Sequence, residues 1–281
     1  MDKFAKKRAG RRGGAVRALV AGAALALGGA PLHAEMSSEE LAKLAQNPVG
    51  NLISVPFQNN TNFDVGPRGG TQNILNIQPV IPIGVDADWN VITRTILPLV
   101  WQPGYEAGQG TTFGLGDLQL SAFLSPSAAG KSGLIWGAGA IVQAPTDTQG
   151  LGNGNWGLGP TAVVLRLQPG DPWVYGVLVN NVWSLTSDGR GGAYSNLLVQ
   201  PFLNYNLPGG TYFTSSPVVT ANWKAPGGQQ WLVPLGGGVG HIFHLGKLPV
   251  NTQVGAYYNV VKPDAGPQWQ LRAQVQLMFP K

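Results

Sequence analysis

The chain contains no cysteine, which excludes a disulfide framework, thiol chemistry and cysteine-held metal sites. Histidine is scarce too, with only His33, His241 and His244. Charged residues make up 11% of the chain, against about 25% in an ordinary soluble domain. After residue 34 no stretch of 18 apolar residues occurs, so membrane-spanning helices are excluded as well. Little charge combined with no apolar run suits a membrane β-barrel. There, lipid-facing and lumen-facing residues alternate along each strand and dilute one another.

What is present begins with a leader. Lys3, Lys6, Lys7, Arg8, Arg11, Arg12 and Arg17 precede an apolar run from Ala18 to Ala30, and Leu32-His33-Ala34 offers a cleavage site before Glu35. This order of charged, apolar and small residues is that of a secretory signal peptide, expected to span 1–34. The leader holds seven of the 18 Lys+Arg and one of the 13 Asp+Glu, leaving 11 against 12. The overall charge of +5 therefore belongs to the leader. The remainder lacks the basic patch that a nucleic-acid partner requires.

Residues 35–50 hold the one helix candidate, SSEELAKLAQ at 37–46, where Ser37 and Glu40 have capping-box spacing. It is expected as a short helix on the periplasmic side or as a plug. From 51 to 281 the chain reads as an antiparallel transmembrane β-barrel. In the last segment Trp269, Leu271, Ala273, Val275, Leu277 and Phe279 alternate with Gln270, Arg272, Gln274, Gln276 and Met278. That is period 2 over the length a tilted membrane strand needs. Twelve such segments are expected, near 51–62, 72–83, 89–100, 113–124, 134–144, 156–167, 173–184, 195–207, 211–223, 231–245, 250–261 and 269–279. Their connections alternate between short and long, and an even number places both termini on the short-turn side.

Tryptophan offers an independent pattern. Trp89, Trp136 and Trp173 fall at strand ends beside short turns, and Trp101, Trp156, Trp183, Trp223, Trp231 and Trp269 beside long loops. Two interfacial girdles are the expectation. Against the barrel stand eight prolines inside the proposed strands (56, 79, 82, 98, 160, 201, 217 and 234). Each removes a ladder bond, and bulges are the expected remedy.

Several segments resemble a known family: LAQNPVGNLISVPFQNNTNFDVGP (44–67), TQNILNIQPVIPI (71–83), DWNVITRTILPL (88–99), FGLGDLQLSAFLSP (113–126), NWGLGPTAVVL (155–165), LVQPFLNYNLPGGTYFTSSPVVTANW (198–223), VPLGGGVGHIF (233–243) and QLRAQVQLMFPK at the end. They are similar to bacterial outer-membrane transporters near the group named for the MetA pathway of phenol degradation. Some members of that group carry the label neuromedin U. The resemblance spans most of 44–281 and includes the strand prolines. It implies a barrel resident in the outer membrane, with outer-membrane lipid, the barrel-assembly machinery and an unidentified small solute as partners. It supplies no functional residues. The chain departs from the usual barrel terminus in that Pro280-Lys281 follow the last aromatic, Phe279.

Motifs with other chemistry are weak. SPSAAGKS (125–132) ends like a phosphate-binding loop but lacks the first glycine, and a strand pattern follows it. GGGVG (236–240) lies within a strand, where close packing or bending accounts for it. His241 and His244, three apart on a strand, face opposite sides and suit no shared metal. No cofactor, metal or catalytic group is expected. The polar strand faces carry Arg94, Asp117, Asn204, Gln253, Arg272 and Gln274, which are expected to line the lumen. The charges among them either tune a pore or form a network that blocks it.

The expected function is a passive outer-membrane channel for small, mostly uncharged or weakly polar solutes. Alternatives are a structural or adhesive barrel without an open pore, a lipid hydrolase using the two histidines, and a lipid-free sandwich.

Overall fold

The computed structural model describes residues 36–280, so the leader expected at 1–34 lies outside the described residues. One unit runs from Ser37 onward. It opens with helix α1 (Ser38–Ala45), and strands follow in chain order. These are β1 (Ile53–Val65), β2 (Gly70–Ile77), β3 (Val80–Gly84), β4 (Trp89–Gln102) and β5 (Thr112–Leu115). Next come β6 (Leu118–Pro126), β7 (Leu134–Ala144), β8 (Gly157–Leu167), β9 (Trp173–Ser184) and β10 (Ser195–Asn206). The last are β11 (Thr211–Ser215), β12 (Val219–Asn222), β13 (Trp231–Leu245), β14 (Leu248–Val261) and β15 (Trp269–Phe279).

Fifteen strand pieces make twelve staves, because β2/β3, β5/β6 and β11/β12 are each one stave broken by two or three residues. Every stave pairs antiparallel with both neighbours, and β15 returns to β1 from Ile53↔Phe279 to Phe63↔Trp269. The sheet has no free edge. Closure is the only way a sheet can sit in hydrocarbon, where no water satisfies an unpaired amide or carbonyl.

Side-chain direction follows the period of two. Along β15 the odd residues Trp269, Leu271, Val275 and Phe279 are exposed on the outer wall, while Arg272, Gln276 and Met278 are buried inside. The same alternation places Val254, Tyr258 and Val260 outside on β14, with Asn251, Tyr257 and Asn259 inside. An outer wall of exposed Leu, Val, Phe and Trp would be untenable in water and is the lipid face of a transmembrane barrel. Among the described residues no helix is long and apolar enough to cross a membrane.

Four of the eight prolines sit where the ladder is interrupted. Pro79 lies in the β2/β3 break and Pro217 in the β11/β12 break. Pro234 marks a register shift between β13 and β14. Pro98 faces the β5/β6 break, where the pairing sum with β4 slips by one residue and Gly116 donates to the Pro98 carbonyl at 2.9 Å. Bulges therefore account for two of the eight positions. The other two breaks keep register on both sides, so there the missing donor is absorbed without a bulge.

Inside, the wall is not uniformly polar. From β4 through β10 it presents Ile92, Phe123, Val163, Leu165, Val174, Leu178 and Phe202, which join Val49 in one buried apolar cluster. From β13 through β15 and on to β1 it presents Asn251, Asn259, Arg272, Gln276 and Asn60. Glycine makes room for the large inward rings. Phe202 lies directly across from Gly176, and a Cβ there would meet the ring and the Leu165 side chain. Gly176→Val is expected to cost about 1–3 kcal/mol through overpacking, read as a lower urea midpoint of the barrel in detergent. An unchanged midpoint would show that the ring does not need the space.

Candidate functional site

At the short-turn end α1 packs against β10, β11, β13, β14 and the 208–210 turn. Ser37 caps the helix in a reciprocal box: Glu40 N–H donates to Ser37 Oγ at 3.2 Å, and Ser37 N–H donates to Glu40 Oε2 at 2.9 Å. These bonds hold the Glu40 carboxyl below the ordinary 4.5, the backbone N–H of Ser37 contributing most and its hydroxyl next. Leu41 and Ala42 are fully buried. Beyond the helix, Gln46 and Asn206 exchange two amide hydrogen bonds of 2.8 and 3.1 Å, which tie this segment to β10.

Above the helix lies a cavity of about 150 Å³. Of the six lumen candidates, five meet around it: Arg94, Asn204, Gln253, Arg272 and Gln274. Leu44 and Leu52 form its floor, and Leu178, Phe202 and Val80 form one side. No Asp or Glu is among the residues that line it.

The two arginines are used differently. Arg272 is 3% exposed and bonded to the wall in three directions. Its Nε donates to Asn60 Oδ1 at 3.2 Å, Nη1 to the Ser216 carbonyl at 2.8 Å, and Nη2 to Gln270 Oε1 at 3.1 Å. The guanidinium also lies 4.6 Å from the centroid of the Tyr257 ring, within cation–π range. Ser216 belongs to the β11/β12 break, so Arg272 satisfies a carbonyl that the ladder leaves open. Ser216 N–H donates to Tyr257 Oη at 3.3 Å, and Gln200 Nε2 donates to Ser216 Oγ at 2.8 Å. Arg94 stands beside the other in-register break. Its Nη2 donates to Gln78 Oε1 at 2.6 Å, and it forms no salt bridge among the described residues.

Asp117 is not part of this cavity. It lies in the β5/β6 break, towards the long loops, where its Oδ2 accepts from Asn153 N–H at 2.6 Å and from Gln143 Nε2 at 3.0 Å. Oδ1 is buried without a hydrogen-bond partner among the described residues. Nearby, burial and the Asp117 charge push the Tyr194 phenol up to about 12. Asn155, 1% exposed, binds Thr186, Gly189 and Gly192 and so joins the two long loops 145–156 and 185–194. A second amide chain, Gln270–Asn62–Gln72–Gln102–Tyr105, runs across four staves nearer the long loops.

Sequence reasoning missed Gln78, Ser216 and Tyr257, which hold the arginines. It also missed the apolar half of the wall. The signal for Gln78 and Ser216 was the pairing of a polar residue with a following proline at 78–79 and 216–217.

All nine tryptophans stand within two residues of strand ends. Trp89 meets Trp136 edge-on at 5.9 Å near the short turns, and Trp223 meets Trp231 at 5.4 Å near the long loops. Trp173 packs on Tyr205, Trp101 on Phe113 and Trp269 on Tyr258. Trp156 and Trp183 are half exposed on the outer wall. His241 points outward, with Nδ1 2.9 Å from Thr211 Oγ1. Among the described residues no group of three or more His, Asp or Glu could hold a metal.

Two outcomes follow from this geometry. Arg272→Ala leaves three acceptors and an aromatic face unpaired and is expected to cost on the order of 3–5 kcal/mol, measured by urea unfolding in detergent. Arg272→Lys keeps the charge but not the fork and should restore only part; full stability of the alanine variant would contradict the account. For α1, the lowered Glu40 value means that the cap's contribution is complete above 4.5 and fades as pH falls through the folded value. Amides of 38–45 should therefore lose protection relative to the strands when hydrogen exchange is compared at pH 6 and pH 3. Equal relative protection at both would refute this.

No protein-family model matches the chain, and no curated protein does. Among solved structures, an outer-membrane channel from Pseudomonas putida F1 aligns with a TM-score of 0.61 at 20% identity, over 83% of this chain and 97% of that one. The NanC porin aligns with a TM-score of 0.51 at 10% identity, over 82% of this chain and the whole of that one. At these identities the likeness is one of fold: the chain shares the closed barrel of both.

Proposed function

We propose that this chain is a passive channel of the outer membrane, exported by its leader and inserted with the long loops outward. The observation that carries the reading is the amphipathic closed wall with a polar cavity inside it. An outer face of exposed aliphatic and aromatic side chains needs lipid. An inner face of Asn, Gln and two arginines serves no lipid contact and is suited to water and solute. The fold shared with a channel and a porin supports the same reading. So does the resemblance of 44–281 to transporters near the phenol-degradation group.

In this reading the tryptophans form two interfacial girdles, since their rings place an apolar body in the acyl region and an N–H at the headgroups. Helix α1 and Val49 constrict the short-turn end. Arg94, Asn204, Gln253 and Gln274 face the permeating solute, while Arg272 holds the wall. Asp117 anchors the loop at 145–155. Partners are membrane lipid, the assembly machinery during insertion, and the solute.

In planar bilayers the purified barrel should give discrete conductance steps, and removal of residues 37–47 should increase them by opening the short-turn end. A membrane that stays closed at all voltages with both proteins, together with no solute flux into liposomes, would leave the structural or adhesive barrel as the better account.

A further inference from the structure

The cavity above α1 combines three properties. Its charge is of one sign: Arg94 and Arg272 line it and no carboxylate does. Arg272 is engaged by the wall, but Arg94 spends one of its five N–H donors on Gln78. The remaining donors have no protein acceptor among the described residues. A guanidinium so placed needs water or an anion to replace its lost hydration. Second, the cavity carries an apolar patch. Arg94 lies between Val80 on β3 and Ser121 on β6, and Leu178 and Phe202, from β9 and β10, line the same cavity as part of one apolar cluster against which Val80 packs. Third, the room is small. A cavity of about 150 Å³ is comparable to the engineered cavity that takes up a single benzene molecule.

We propose that this cavity is a binding station for a small monocarboxylate with an apolar body, the size of a single aromatic ring. The carboxylate would accept from Arg94, and the ring would lie against Leu178 and Phe202. This deepens the channel reading by naming the solute class, and it departs from the uncharged solutes that the Asn/Gln strand faces suggest by themselves. A neutral aromatic would leave Arg94 unsatisfied. An inorganic anion would leave the apolar face wet. Only a solute with both parts answers both walls, and a carboxylate offers the two acceptor oxygens that a guanidinium fork fits.

The test uses the full mature barrel in detergent, with benzoate, its neutral isostere benzamide, and acetate as probes in isothermal titration calorimetry. Benzoate should bind at least tenfold more tightly than either benzamide or acetate. Arg94→Gln should reduce benzoate to the benzamide level, while Arg94→Lys should keep a measurable part of the preference. Phe202→Ala should weaken benzoate and leave acetate unchanged. Equal binding of benzoate and benzamide, or an unchanged benzoate affinity in Arg94→Gln, would overturn the proposal. Heat-modifiable migration of each variant on gels shows that the barrel has folded, so a loss of binding reports the site. Recording the same preparations in planar bilayers separates the two ideas. Conductance without benzoate preference removes the station and leaves the channel; benzoate preference without conductance removes the channel and leaves the station.

Discussion

Hydrocarbon offers a backbone nothing to bond with, and that constraint shapes every part of this molecule. An unpaired amide facing lipid costs several kcal/mol, so the twelve staves must close on themselves, and they do, through the eleven-residue register that joins β1 to β15. Once the sheet is closed, each residue is committed to lipid or lumen by its parity alone. The outer face can then be apolar throughout without risk of aggregation through an edge. The inner face is freed from any duty to the membrane.

The prolines show how far that constraint can be bent. Eight positions in the strands carry no amide hydrogen, and a naive account would have each leave a hole in the ladder. Instead, most of the interruptions are gathered, while Pro82 and Pro160 stand within continuous pairings of β3 with β4 and of β8 with β7. Pro201 sits opposite Pro217 by the common register of β10 with β11 and β12, and Pro217 sits beside the bulge at Pro234. The backbone groups left over at Ser216 are taken up from inside the barrel by Arg272 and Tyr257. At the other in-register break, Gln78 N–H bonds the Pro56 carbonyl and its side chain receives Arg94. The two lumen arginines thus stand beside the two proline breaks. Each break exposes acceptors towards the interior, and a charged donor there forms stronger bonds than a neutral one.

How much of this could be read from the chain depends on which face carries the contrast. Staves such as β14 and β15, apolar outside and amide-rich inside, show their period of two plainly, and their bounds lie within two residues of those read from sequence. So do the capping box at Ser37 and Glu40 and the alternation of short and long connections. The 63–71 connection was overestimated because Phe63 and Val65 continue the β1 ladder and the turn needs only 66–69. What the sequence could not show was the apolar inner wall. In β8 and β9, runs such as TAVVL and VYGVLV put apolar residues on both faces, so periodicity carries no information about which side is which. Nor could spacing reveal that Asp117, though on the same face as the arginines, bonds the 145–155 loop and not the cavity that they line. Parity places a residue inside, but its height is set by stagger, which depends on register across all twelve staves.

The divided lumen is the feature that separates a channel with a preference from one without. A barrel needs its interior filled or wet, and either can be achieved with amides alone, as the Gln270–Asn62–Gln72–Gln102 chain does. Arg94 contributes one hydrogen bond to the wall, an interaction of roughly 1.5–3 kcal/mol for a charged donor, whereas withdrawing a cation from water costs several kcal/mol. As a structural strut it would be a poor choice, since a glutamine could reach Gln78 without the charge. The balance reverses only when the space in front of the guanidinium holds polar matter. Water can serve the guanidinium from the amide-rich part of the cavity, but Leu178, Phe202 and Val80 give water few partners on their side. An anion that carries its own apolar surface resolves both deficits at once.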